Sequence, residues 1–130
     1  MSAMAFREPN QVRWVGTRPG HNGSQVAASG SANNATAVVY TVTAGKTLHI
    51  THWTCEGNAS ATGGVCQLEI ENAAGVQQYI ILKMGFNAVG QMLGVGNLAY
   101  PLEVPAGYKV AVVSSAATMT VNAFVHGWEE

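Results

Sequence analysis

One tight corner occurs twice in this chain, and it restricts the fold more than any other feature. Val42-Thr43-Ala44-Gly45-Lys46-Thr47-Leu48-His49-Ile50 is echoed by Val104-Pro105-Ala106-Gly107-Tyr108-Lys109-Val110-Ala111-Val112. Each copy is an apolar position, an Ala-Gly turn, and a strand with alternating apolar residues. Gly supplies the positive φ that such a turn often needs, and Pro105 presets φ at the second corner. A strand that runs into a sharp corner and then into another strand, twice in one small chain, folds back on itself as a two-sheet sandwich.

The rest of the chain agrees with that reading from Ser24 onward. Strands are predicted over 24–28, 36–43, 46–55, 65–71, 76–84, 98–104, 107–114 and 118–128. Thr36-Ala37-Val38-Val39-Tyr40-Thr41-Val42 is rich in β-branched residues. Met119, Val121, Ala123 and Val125 alternate with Thr120, Asn122, Phe124 and His126, as a strand with one buried face requires. Turn signals fall at Ser29-Gly30-Ser31, at the Glu71-Asn72-Ala73-Ala74-Gly75 hairpin and at Ser114-Ser115-Ala116-Ala117. No segment has an amphipathic helical period. The expectation is an all-β, antiparallel jelly-roll sandwich of about eight strands over residues 24–130.

Residues 1–23 have neither period and are punctuated by Pro9, Gly16, Pro19, Gly20 and Gly23, which predicts an extended N-terminal arm. Arg7, Arg13 and Arg18 lie there, half of the six Lys and Arg residues, together with Trp14. Trp and Arg dominate interface hot spots, so the arm is a candidate contact with a neighbouring subunit. Three arginines without a wider basic patch are a poor phosphate footprint, and nucleic acid is not an expected partner. Neither is a membrane, since no stretch approaches the roughly 20 apolar residues of a span. The first residues lack an apolar signal region, so synthesis in a cytoplasm is expected.

Charged residues are only 10% of the 130, and Asp is absent. A neutral surface of small polar residues is prone to association, so a homo-oligomer is expected. Two connections stand out. Glu56–Gly64 is small and polar, with Cys55 and Cys66 at its mouths. If the strands beside it pair, the two thiols lie opposite each other, and geometry decides whether they bridge. Gly85–Asn97 is Gly-punctuated and apolar, with Phe86, Met92 and Leu93. It either plugs the end of the sandwich or marks a contact site.

Candidate chemistry is sparse. Gly45, His49, His52, Glu56 and Gly63 resemble the first motif of cupins, metal-binding jelly rolls, and Pro105-Ala106-Gly107 resembles the turn of the second. In the cupin register, however, Thr51, Trp53, Val110 and Ser114 stand at the ligand positions. His49 and His52 are three apart and point to opposite faces of a regular strand, so they cannot share an ion without a bulge. No Gly-x-Ser-x-Gly elbow is present, and a triad would lack Asp. Glu69 and Glu71 share one strand face about 7 Å apart, the pattern of a solvated face. No catalysis and no cofactor are expected. Sugar recognition is the open alternative: Phe124, His126 and Trp128 recur at period two and, with Trp53, would line one sheet face.

Strand count, composition, the two corners and the closing Val121-Asn122-Ala123-Phe124-Val125-His126-Gly127-Trp128 resemble jelly-roll accessory proteins of bacteriophage virions, the capsid decoration or cement type. That resemblance implies a homotrimer on the outer capsid surface, docked on the major capsid protein and made in the host cytoplasm. Its contacts would be the arm (Arg7, Arg13, Trp14, Arg18) and the apolar segment (Phe86, Met92, Leu93). A receptor- or carbohydrate-binding module of a tail fibre or spike, using Trp53, His126 and Trp128, is the alternative.

Overall fold

The computed structural model describes residues 23–130, so Arg7, Arg13, Trp14 and Arg18 lie outside the described residues. Eight strands follow in order: β1 (Ser24–Asn33), β2 (Ala35–Thr41), β3 (Leu48–Ala59), β4 (Gly64–Glu71), β5 (Gln77–Phe86), β6 (Gly90–Val104), β7 (Lys109–Ser114) and β8 (Met119–Glu129). They form two four-stranded sheets, β1-β8-β3-β6 (sheet I) and β2-β7-β4-β5 (sheet II), with every pair antiparallel. Only the β4–β5 hairpin stays within one sheet; each other connection carries the chain across to the opposite one. This is the strand order of a jelly roll.

Three local expectations are corrected. The Ser29-Gly30-Ser31 turn is strand, and the reversal comes at Asn34, whose φ is 50°. The Glu56–Gly64 connection shrinks to residues 60–63, because β3 runs on to Ala59. The apolar Gly85–Asn97 segment is no loop: β5 ends at Phe86 and β6 starts at Gly90. In each case ladder pairing with a neighbouring strand outweighed the local preference of Gly, Ser and Asn for turns.

The two corners meet. Both place their glycine at positive φ, 78° at Gly45 and 81° at Gly107. Each is closed by its own i to i+3 bond, Lys46 N–H to Thr43 O (3.0 Å) and Tyr108 N–H to Pro105 O (3.2 Å). They then bond to each other: the Val42 N–H donates to Tyr108 O (2.9 Å) and the Gly107 N–H to Val42 O (3.1 Å). The carboxylate of Glu129, at the end of β8, accepts from the Thr43 N–H (2.8 Å) and hydroxyl (2.9 Å). β8, β3 and the first corner are thereby tied at one point.

Inward residues of both sheets form one core. Leu48, Ile50 and Cys55 from β3, with Val121 and Val125 of β8 beside them, face Cys66, Leu68 and Ile70 from β4, with Val110 and Val112 of β7. Fully burying each of the larger aliphatic side chains contributes about 1.5–3 kcal/mol. Cys55 and Cys66 are buried free thiols on strands of opposite sheets, so β3 and β4 do not pair as the cysteine argument required. The hydrogen bond to Cys66, and burial, push the Cys55 thiol up, away from the reactive thiolate.

On the outer face of sheet II, Glu69 and Glu71 are buried rather than solvated. Gln67 Nε2 donates to Glu69 Oε1 (2.6 Å). Burial, then the neighbouring Glu69, raises the Glu71 carboxyl to about 7, with Lys109 opposing. Burial alone would raise Glu129 as well, but the Thr43 and Tyr40 hydrogen bonds and Lys46 hold it below its ordinary 4.5.

The two carboxyls have opposite linkage. Glu129, depressed, stabilises the fold above pH 4.5, and that stability is lost as pH falls through its folded value. Glu129→Gln is therefore expected to cost about 1–3 kcal/mol at pH 7, with the gap to the parent narrowing in acid, read from urea midpoints. Glu71, raised, contributes stability below pH 4.5 that is lost as pH climbs toward 7. Glu71→Gln is expected to match the parent at pH 4 and to melt higher at pH 8; a variant whose Tm equals the parent's at both pH values would refute the raised Glu71 carboxyl.

Candidate interaction surface

Two edges of the sandwich differ. β1 and β2 lie in contact along one edge, whereas β5 and β6, the edge strands on the opposite side, have no comparable contact. That open edge collects apolar surface. Of the nine exposed large apolar residues among those described, eight fall between Val76 and Tyr100, on β5, β6 and their flanking turns. Leu93 is 64% exposed and Tyr100 88%. An apolar strand edge that no other described element covers is a surface that associates.

One irregularity shapes this edge. In the β3–β6 ladder Ile50 pairs with Leu102, and the next pair is His52 with Asn97. Thr51 thus stands alone opposite Leu98, Ala99, Tyr100 and Pro101. Pro101 has no N–H to give to a ladder, and bulges are where such a residue is tolerated. The displaced stretch forms one wall of an apolar cleft of about 300 Å³ lined by Trp53, Tyr79, Ile81, Leu98, Tyr100, Pro101 and Leu102. Trp53 reaches it by passing under β6 at Gly96, where any Cβ would overlap the indole ring. A second concavity, about 430 Å³, sits at the far end of the sandwich among Asn58, Ser60, Gln91, Thr118 and Thr120, with Ala and Gly between them.

The same bulge overturns two sequence expectations. Against β8, His49 pairs with Trp128 and His52 with His126, so both histidines share the outer face of sheet I despite their spacing of three. Trp53 is turned inward instead and is 9% exposed. It therefore does not join His126 and Trp128 on one face. Trp128 is itself 8% exposed, stacked on His49 with centroids 4.8 Å apart, and its buried Nε1 has no hydrogen-bond partner among the described residues. A covered indole offers no open ring for a sugar. His49 Nε2 lies 3.2 Å from Glu130 and Nδ1 3.9 Å from Glu103, while His52 Nδ1 meets Asn97 Oδ1 at 2.5 Å. Among the described residues no group of three or more His, Cys, Asp or Glu could hold a metal ion.

The apolar segment divides by strand alternation. Leu93 points outward opposite Glu56, and Met92 lies on the partly exposed edge opposite Gly57. Phe86 is 3% exposed and packs in the core on Gly57, so it is corrected from contact to core residue. The residues that sequence reasoning missed are Tyr79 and Tyr100. Their apolar character was legible, but their exposure depends on β5 and β6 being edges.

No family model matches the chain, and no curated protein matches it. Among solved structures, two similar chains are crystal structures of a pentameric capsid protein isolated from metagenomic phage sequences. The first is 16% identical with a TM-score of 0.47, covering 78% of this chain and 61% of that one. The second is 14% identical with a TM-score of 0.43, covering 80% and 59%. The chain thus spans about three fifths of the length of these neighbours.

Gly96→Val is expected to expel Trp53 from beneath β6 and to cost about 1–3 kcal/mol, seen as a lower urea midpoint with a red-shifted tryptophan emission. An unshifted spectrum would show that the indole does not depend on that gap.

Proposed function

We propose that this chain is a structural virion protein of the bacteriophage capsid-decoration type, working as a homo-oligomer on the outer capsid surface. The observation that carries this reading is the open β5/β6 edge, where nearly all the exposed large apolar side chains of the described residues are concentrated on two edge strands, each paired on one side only. Such a surface gains free energy when covered, at about 25 cal/mol per Å² of apolar area. The charge-poor composition points the same way, since little like-charge repulsion opposes close packing of copies.

The mechanism is mechanical. Contact area added between subunits of a shell binds the assembled state and not the dispersed one, and so raises the free energy needed to take the shell apart. The proposed oligomer is the trimer that the resemblance implies, with the major capsid protein as partner. Within it, Met92, Leu93 and Tyr100 are the proposed contacts of the edge, and Arg7, Arg13, Trp14 and Arg18 those of the arm.

The test has two parts. Light scattering of the purified chain is expected to give a discrete oligomer, and Leu93→Glu with Val95→Glu is expected to shift it toward monomer with an unchanged far-UV spectrum. Co-sedimentation with empty capsids is expected for the parent and is expected to be lost on deleting residues 1–20. A monomer at all concentrations that ignores capsids would sink the proposal.

A further inference from the structure

We infer that the cleft between β5 and β6 is the seat of the N-terminal arm of a second copy of this chain, with Trp14 as the inserted side chain. The inference rests on the homo-oligomer reading and specifies how its copies join.

Residues 1–22 precede the described part, which starts at Gly23 and runs directly into β1. β1 is one edge strand of sheet I and β6 is the other, with β8 and β3 between them. Three strand spacings separate them, about 14 Å. The arm therefore departs from the edge opposite the one on which the cleft opens. Copies placed edge to edge bring the donor of one against the acceptor of the next. From Trp14 to Ser24 is ten residues, a reach of up to about 33 Å when extended, which spans such a junction. Because donor and acceptor are different surfaces, the contact is heterologous, and repeated around an axis it closes a ring in which every cleft is filled.

The cleft offers Trp53 beneath, Tyr79 and Tyr100 at its lips, and aliphatic walls at Leu98 and Leu102. None of its lining residues is charged. Its volume, about 300 Å³, admits one bulky side chain. Aromatic rings prefer offset or edge-to-face neighbours of their own kind, and an indole among a Trp and two Tyr meets them on several sides. Trp14 is the single Trp of residues 1–22, and Arg13 stands beside it. On the acceptor, Glu103 follows Leu102 on β6 with its side chain 72% exposed. An Arg-Trp pair thus meets an acid next to an aromatic cleft, in matching order of charge and apolar contact.

The experiment uses the full chain. Purified Trp14→Cys chains are mixed with Tyr100→Cys chains and gently oxidised; Cys55 and Cys66 stay buried in the core. The expected result is a disulfide-linked pair in the mixture and in neither protein alone. In parallel, Arg13→Glu is expected to weaken self-association about two- to fivefold, and adding Glu103→Arg is expected to restore it. Light scattering is run on every sample. An oligomer without the cross-link, or a cross-link that forms equally in Trp14→Cys or Tyr100→Cys chains alone, overturns the seating of the arm and leaves the homo-oligomer reading standing. A parent chain that is monomeric throughout overturns both.

Discussion

Everything in this sandwich depends on the chain crossing between sheets at a fixed place. Six of the seven connections between the described strands change sheet. Each crossing ends one ladder and begins another, so backbone groups at the corners need partners from outside the ladders. The two Ala-Gly corners supply them to each other through Val42, Gly107 and Tyr108, and Glu129 supplies the Thr43 N–H. With β2, β3, β6, β7 and β8 tied at this end, registers along the whole length of both sheets are set, because a slip of one residue would turn every inward side chain out.

The bulge around Thr51 shows what a fixed register then permits. Ladder pairing resumes on both sides of it, so the surplus β6 residues have to leave the sheet plane. They do so on an edge strand, where no further neighbour is disturbed. The result is a local cleft with an aromatic floor, built without loss of core packing, on the side of the molecule where both sheets end. Structural economy and a sticky surface come from the same residues.

Most of the fold was legible because strand signals are local. β-branched runs, period-two alternation in β8 and Gly at positive-φ corners act through the backbone of a few adjacent residues. What was misjudged was every feature that depends on partners distant in sequence. Glu69 and Glu71 looked like a solvated face, yet neighbouring strands bury them. Phe86 looked like a loop residue, but β4 recruits it into the core through pairing with Gly64. Met92 and Leu93 were found as candidate contacts, whereas Tyr79 and Tyr100 were not, since nothing in their neighbourhood states that β5 and β6 are edges.

The sequence by itself determined the two-sheet class, the number of strands and the nature of the corners, for these follow from short-range sterics and hydrophobic period. Only the tertiary structure decided that His49 and His52 share a face while Trp53 turns inward. The physical reason is the period of two: one inserted residue at Thr51 inverts the sidedness of all that follows on β3. Where that insertion falls is set by its partners on β6 and β8, not by the local sequence.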